Sequence, residues 1–180
     1  MYSLPKITSS LFDDWLDMYG MSDSDWAGCL RTRRSTAGFL LSLLGGAVAW
    51  GSKVMATIAT SSMEAEYMAA YYLGQTICFV RNLLGEIGLS LSKPTPFFMD
   101  AMAAIQAIKN GELSARTKHF NVKVRWMGQL ARRAIVECIH LRGTDMTADL
   151  LTKAITTMTW WNTLNPHLSG KVRRTAKQLV

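Results

Sequence analysis

Residues that carry cross-links, thiolate metal sites and proton shuttles are scarce: 180 residues include three cysteines, three histidines and four prolines. Cys29, Cys78 and Cys138 are odd in number, widely spaced and without zinc-type pairing. That excludes a disulfide framework, and they read as small core residues of a reducing compartment. Long apolar runs are missing as well. The 37–50 stretch is broken by Ser42 and Gly45-Gly46 and falls short of the roughly 20 residues a membrane helix needs. Residues 1–11 hold one lysine and no apolar block, unlike a secretory signal. The expectation is an intracellular protein, cytoplasmic or nuclear, with no membrane partner. Acids are few too: 13 against 20 basic residues, a formal charge of +7, which favours a polyanionic partner. At 49% hydrophobic and 18% charged, the chain is not disordered, has material for one core, and is too short for two ordinary domains.

What charge there is lies unevenly. Asp13, Asp14, Asp17, Asp23 and Asp25 face a single Lys6 near the start, whereas 116–133 holds Arg116, Lys118, Lys123, Arg125, Arg132 and Arg133 with no acid. The end is basic again, with Lys171, Arg173, Arg174 and Lys177. Residues 1–15 lack periodicity and read as a linker or remnant of a parent chain, 16–157 as the domain, and 158–180 as a basic tail.

Within 16–157 the elements alternate. A strand is expected over 16–22, running into Asp23. Two apolar runs, 38–44 and 47–52, flank Gly45-Gly46, and glycine at both turn positions permits a tight hairpin. Thr60-Ser61-Ser62 ahead of Glu64 signals a helix start, the helix running to 84 or 85 with Gly74 as a weak point in its middle. A strand over 94–99, a helix over 101–109, a helix over 119–131, a strand over 135–141 and a helix over 147–156 complete the order. This is an α/β chain: a mixed five-stranded sheet with helices on both faces.

Four acids stand among apolar neighbours: Asp23 and Asp100 at strand ends, Glu66 between Ala65 and Tyr67, and Asp149 before Leu150-Leu151. A carboxylate in such a place is costly unless a cation or donor meets it. Converging, the four would form an oxygen-rich site suited to Mg²⁺, and two ions about 3.5–4 Å apart would serve phosphodiester hydrolysis. Spacing alone does not bring them together, and each taken singly is equally a helix cap or a half-exposed acid.

Five strings occur in order: Ser22-Asp-Ser-Asp-Trp-Ala-Gly28, Arg33-Arg-Ser-Thr-Ala-Gly-Phe39, Ser61-Ser-Met-Glu-Ala-Glu-Tyr-Met-Ala69, Arg116-Thr-Lys-His119 and Ala148-Asp-Leu-Leu-Thr-Lys153. Over 19–154 the series resembles the ribonuclease H domain of copia-type LTR-retrotransposon Pol polyproteins. The resemblance implies a ribonuclease H-like fold and a hydrolase, an endonuclease that cuts the RNA strand of an RNA–DNA hybrid during reverse transcription. It also implies two Mg²⁺ (or Mn²⁺) ions on an Asp-Glu-Asp-Asp set, and the reverse transcriptase portion of the same polyprotein as a partner.

By that likeness the catalytic and metal-holding residues are Asp23, Glu66, Asp100 and Asp149, with Asp25 a helper or cap. Glu64 and Glu66 cannot both face the site, being two apart on a helix, so Glu64 is assigned to the helix N-terminus. Ala101-Met102-Ala103-Ala104 departs from the polar residues usual after the third acid. His119 belongs to a family string with capping or packing as its expected role, and His140 reads as structural; a histidine base is not expected. Nucleic-acid contacts are expected from Ser61, Ser62, Arg116, Lys118, Lys123 and Arg125, through phosphate rather than base contacts and through the 2′-hydroxyl. Trp26, Trp50 and Trp126 are expected in the core, as are the eleven methionines. The alternative reading is a degenerate or repurposed domain that binds nucleic acid without cutting it.

Overall fold

The computed structural model describes residues 16–110, 121–154 and 156–165. β1 (Tyr19–Asp25), β2 (Thr36–Leu43) and β3 (Gly46–Val54) form an antiparallel meander, and β4 (Thr95–Met99) and β5 (Val136–His140) join it in parallel with β1. The five-stranded order is β3-β2-β1-β4-β5. The longer helices are α1 (Ser62–Glu86), α2 (Met102–Asn110) and α3 (Asn121–Arg132), and a short helical stretch covers Thr157–Thr159 and Trp160–Leu164.

The period-two alternation of the strands divides the core. On one face Leu41, Phe97, Met99, Val136 and Cys138 pack against Tyr67, Leu73 and Ile77 of α1, Ile105 and Ile108 of α2, and Val124 and Met127 of α3. On the other, Tyr19, Met21 and Phe98 meet Leu141, Met146 and Ala148. Adjacent Phe97 and Phe98 therefore serve opposite faces, and both are fully buried.

Helix α1 starts where its capping residues place it. Ser61 is the N-cap, its hydroxyl accepting from the Glu64 N–H at 3.1 Å. Glu64 reaches back to accept from the Thr60 N–H at 2.7 Å and the Thr60 hydroxyl at 2.8 Å, a variant of the reciprocal capping box. Gly74, costly to a helix by itself, has a packing reason. A Cβ there would lie 2.6 Å from Met127 Sδ and 3.1 Å from the Trp126 ring, so its absence lets α3 cross close to α1.

Several details depart from expectation. The first strand is Tyr19–Asp25, so Asp23 lies inside it; Leu16 and Met18, expected to begin the strand, are core residues ahead of it. In the β2–β3 turn the positive backbone angles fall on Leu44 (φ 55) and Gly45 (φ 77), with Gly46 already in β3. The pairing Leu43↔Gly46 and an irregularity at Leu41/Ser42 set this register, and the Leu44 side chain at the turn is exposed. The expected helix over 147–156 is instead a single 3-10 turn, Thr147–Leu151, which follows another at Gly143–Asp145. The Thr152 hydroxyl bonds the Asp149 carbonyl at 2.8 Å, occupying an acceptor the next α-helical turn would use.

Trp26 and Trp50 are about half exposed rather than core, and Trp126 is only partly buried. Trp50 is paired with Leu40 and shares its face, but it stands on edge strand β3, where its side chain is left half exposed. Of the cysteines only Cys138 is buried, and His140 is exposed at the end of β5. Among the described residues no helix is long and apolar enough to cross a membrane. Residues 1–15, expected to be a linker, Arg116, Lys118, His119 and the basic cluster at 171–177 lie outside the described residues.

Candidate metal centre

Because β1 and β4 are adjacent and parallel, their C-terminal ends finish on one edge of the sheet. Asp23 near the end of β1 and Asp100 just past β4 are thereby brought together. Glu66 comes from the first turns of α1, packed on β1. One carboxylate oxygen from each of Asp23, Glu66 and Asp100 lies within 4.8 Å of the other two. Glu64 is not among them; its carboxylate is held at the helix start.

The surroundings are dry and sparsely compensated. Asp23 is 5% exposed and Glu66 8%. The Ser24 hydroxyl donates to Glu66 Oε1 at 2.6 Å, while Glu66 Oε2 is buried without a hydrogen-bond partner among the described residues. The Thr152 hydroxyl, 2.9 Å from Asp23 Oδ2, shares its one proton between that oxygen and the Asp149 carbonyl. Burial pushes the Glu66 carboxyl up to about 8, against the Ser24 hydrogen bond and with the charges of Asp23 and Asp100 adding to the rise. Burial likewise pushes Asp23 up to about 6, opposed by Thr152 and reinforced by Asp100 and Asp149.

Three clustered carboxylates, two of them buried and one with an orphaned oxygen, form a set of hard oxygen donors with uncompensated negative charge. That donor chemistry fits a divalent cation such as Mg²⁺ or Mn²⁺; Mg²⁺ commonly uses only one or two carboxylates and keeps waters.

No family model matches the sequence. The chain is 34% identical over 136 residues to the "Retrovirus-related Pol polyprotein from transposon TNT 1-94" of Nicotiana tabacum, covering 76% of this chain and 10% of that one. It is 28% identical over 147 residues to the corresponding polyprotein from transposon RE2 of Arabidopsis thaliana, covering 82% of this chain and 10% of that one. The chain belongs with the copia-type retrotransposon Pol polyproteins. It spans about a tenth of the length of these relatives. Its fold is similar to that in "Crystal structure of LC11-RNase H1 in complex with RNA/DNA hybrid", with a TM-score of 0.53 at 14% identity, covering 74% of this chain and 92% of that one. The fold is ribonuclease H-like.

In this copia-type chain the fourth acid stands slightly apart. Asp149 lies on the 3-10 turn Thr147–Leu151 and forms an ion pair with Lys153, four residues on. It is outside the close trio, yet near enough for its charge to raise the Asp23 carboxyl. Gly38 permits this approach. It pairs with Asp23 across the sheet, and a Cβ on it would come within 2.8 Å of the Ala148 carbonyl and 2.7 Å of the Thr152 methyl. Asp25 packs its carboxylate on Gly28 in the following loop, since a Cβ there would meet Asp25 Oδ2.

The expected nucleic-acid contacts fall in different settings. Ser62 is exposed in the first turn of α1, beside Ser61 whose hydroxyl serves as cap. On α3, Lys123 Nζ is 3.1 Å from Met68 Sδ and 5.4 Å from the Tyr71 ring centroid, and Arg125 is exposed. Ser24, Thr152 and Lys153, which hold three of the acids, escaped the sequence reading. Ser24 stands between two acids, and Thr152-Lys153 closes the string that contains Asp149, so only their position in those strings pointed to them.

Proposed function

We propose that this chain hydrolyses the RNA strand of RNA–DNA hybrids as a metal-dependent ribonuclease H-type endonuclease, within a retroelement polyprotein that also carries a reverse transcriptase. The observation that carries the reading is the carboxylate trio with its buried, unpartnered Glu66 oxygen. A ribonuclease H-like chain solved with an RNA/DNA hybrid supports the substrate class.

Asp23, Glu66 and Asp100 would hold the cations, two Mg²⁺ in the full site, with Asp149 completing the set. When bound, such ions polarise the scissile phosphodiester and favour water as nucleophile. The protein's own part is positional. Ser24 fixes one oxygen of Glu66 and leaves the other without a hydrogen-bond partner among the described residues. Thr152 ties Asp23 to the turn that bears Asp149. Lys153 steadies Asp149 and lowers the local repulsion among four acids. Asp23 and Glu66 must both lose their protons before they can ligate, so metal affinity rises with pH toward the raised Glu66 value. The hybrid would be positioned by phosphate contacts from Ser61, Ser62, Lys123 and Arg125, together with Arg116 and Lys118. The protein would act inside the cell, where reverse transcription takes place.

The test is cleavage of an end-labelled hybrid by the full chain, with Mg²⁺ or EDTA, beside Asp100→Asn. Cutting of the RNA strand that needs Mg²⁺ and Asp100 supports the proposal. Hybrid binding without metal-dependent cutting overturns it in favour of a repurposed binding domain, the reading to which Ala101-Met102-Ala103-Ala104 would then belong.

A further inference from the structure

Between Asp25 and Glu64 the chain contains no acid, and its cations there are Arg31, Arg33, Arg34 and Lys53. The three arginines lie in the loop joining β1 to β2, and all three are exposed. None has a carboxylate partner among the described residues. The loop leaves the sheet at the pair Asp25↔Thr36, two residues beyond Asp23 and on the edge where the carboxylate trio sits.

It is also well braced. The Ala27 N–H donates to the buried Ser35 hydroxyl at 3.0 Å. Cys29 and Arg33–Arg34 exchange backbone hydrogen bonds, Arg33 N–H to the Cys29 carbonyl at 2.7 Å and Cys29 N–H to the Arg34 carbonyl at 3.2 Å. Trp26 Nε1 donates to the Ala59 carbonyl at 3.1 Å, tying the loop to the segment that caps α1. Arg33 is held at φ 53, a conformation a bulky residue keeps only when its surroundings enforce it. The arginines are therefore carried on a stiff loop tied through Trp26 to the segment that leads into α1, whose first turn exposes Ser62.

We propose that this β1–β2 loop is a phosphate clamp, in which Arg31, Arg33 and Arg34 grip the backbone of the nucleic-acid duplex next to the carboxylate centre. Naming a duplex as the ligand rests on reading that centre as a phosphodiester-cutting site. A cluster of carboxylates repels a polyanion, so cations beside it are needed to seat one. Guanidinium forks match phosphate oxygens in pairs. Such contacts position the duplex without reading its sequence.

The test compares Arg31→Gln/Arg34→Gln with Lys93→Gln/Lys109→Gln, which removes the same charge near the start of β4, at the opposite edge of the sheet. Arg33 is left in place because its backbone angle makes substitution ambiguous. Equal thermal midpoints for both variants and the parent establish that each folds. Binding of a fluorescent RNA–DNA hybrid is measured by anisotropy in EDTA over a salt series, and KM and kcat for cleavage in Mg²⁺. The loop variant should bind about tenfold more weakly and flatten the log K against log salt slope by about 2, the loss of two phosphate contacts. Its KM should rise with kcat retained, and the control should stay within about twofold of the parent.

A loop variant that binds like the parent, or a control that weakens equally, overturns the clamp; metal-dependent cutting by the parent would then leave the nuclease reading intact. Arginine-dependent binding by a parent that never cuts supports the clamp and overturns the nuclease reading. A parent that does not bind the hybrid overturns the clamp.

Discussion

The two faces of the sheet differ in how firmly they hold what they bring to the carboxylate centre. One carries α1, α2 and α3 over a continuous apolar core, and Glu66 arrives from it on a capped 25-residue helix. The other is covered, among the described residues, by short 3-10 turns over a smaller cluster, and Asp149 arrives from it. The thick face delivers a buried acid whose position costs burial energy. The thin face delivers a half-exposed acid steadied by one hydroxyl bridge and one ion pair. Rigidity is thus concentrated where desolvation is greatest, which keeps buried like charges from relaxing apart.

Removing oxygens of the carboxylate trio should break that contrast most severely. Glu66→Gln and Asp100→Asn should each lower hybrid cleavage by on the order of 10³-fold, several kcal/mol of barrier, measured in single-turnover assays. An equal loss for Lys153→Gln would show that both faces count alike.

The next largest effect is on stability against pH without metal. Glu66 and Asp23 titrate higher folded than unfolded, so the folded state binds more protons between about 4 and 8. Stability is therefore greater at the acid end of that window and falls as pH rises through it, by on the order of a few kcal/mol. Thermal melts in EDTA at pH 5 and pH 8 should show the drop. Mg²⁺ should raise the midpoint more at pH 8, and Glu66→Gln should flatten the profile. A metal-free midpoint that climbs from pH 5 to pH 8 would refute the burial argument.

Gly38→Val addresses the thin face. It forces the turn bearing Asp149 off β2 and should cost about 1–3 kcal/mol by overpacking, with activity falling further than stability. Smaller still, Ser61→Ala should cost about 1 kcal/mol of stability through the lost cap. Lys153→Gln should cost less than about 1 kcal/mol, its partner being partly solvated.

Much of the fold was legible because its signals are local. The cap at Ser61 and the apolar alternation of the strands each act over a few residues, and the glycine pair marked the β2–β3 hairpin, although its turn sits one residue earlier, on Leu44-Gly45. The last segment misled because Thr147–Leu151 has helical composition, while its geometry depends on Thr152 bridging the Asp149 carbonyl and Asp23 Oδ2. Trp26 and Trp50 looked like core residues by type, but Trp50 is on an edge strand and Trp26 opens a loop. The separation of Glu64 from Glu66 was readable from helix phase alone, and their different surroundings agree with it.

Chemistry-bearing residue types and their positions within elements belong to the chain itself, since periodicity decides which side of a helix or strand an acid occupies. Tertiary structure alone decided that β1 and β4 lie side by side, that Glu66 is buried over them with an oxygen unmet, and that Asp149 stops short of the trio. Those outcomes depend on contacts between residues far apart in sequence, such as Ser24 with Glu66 and Thr152 with Asp23, whose energies no local pattern encodes.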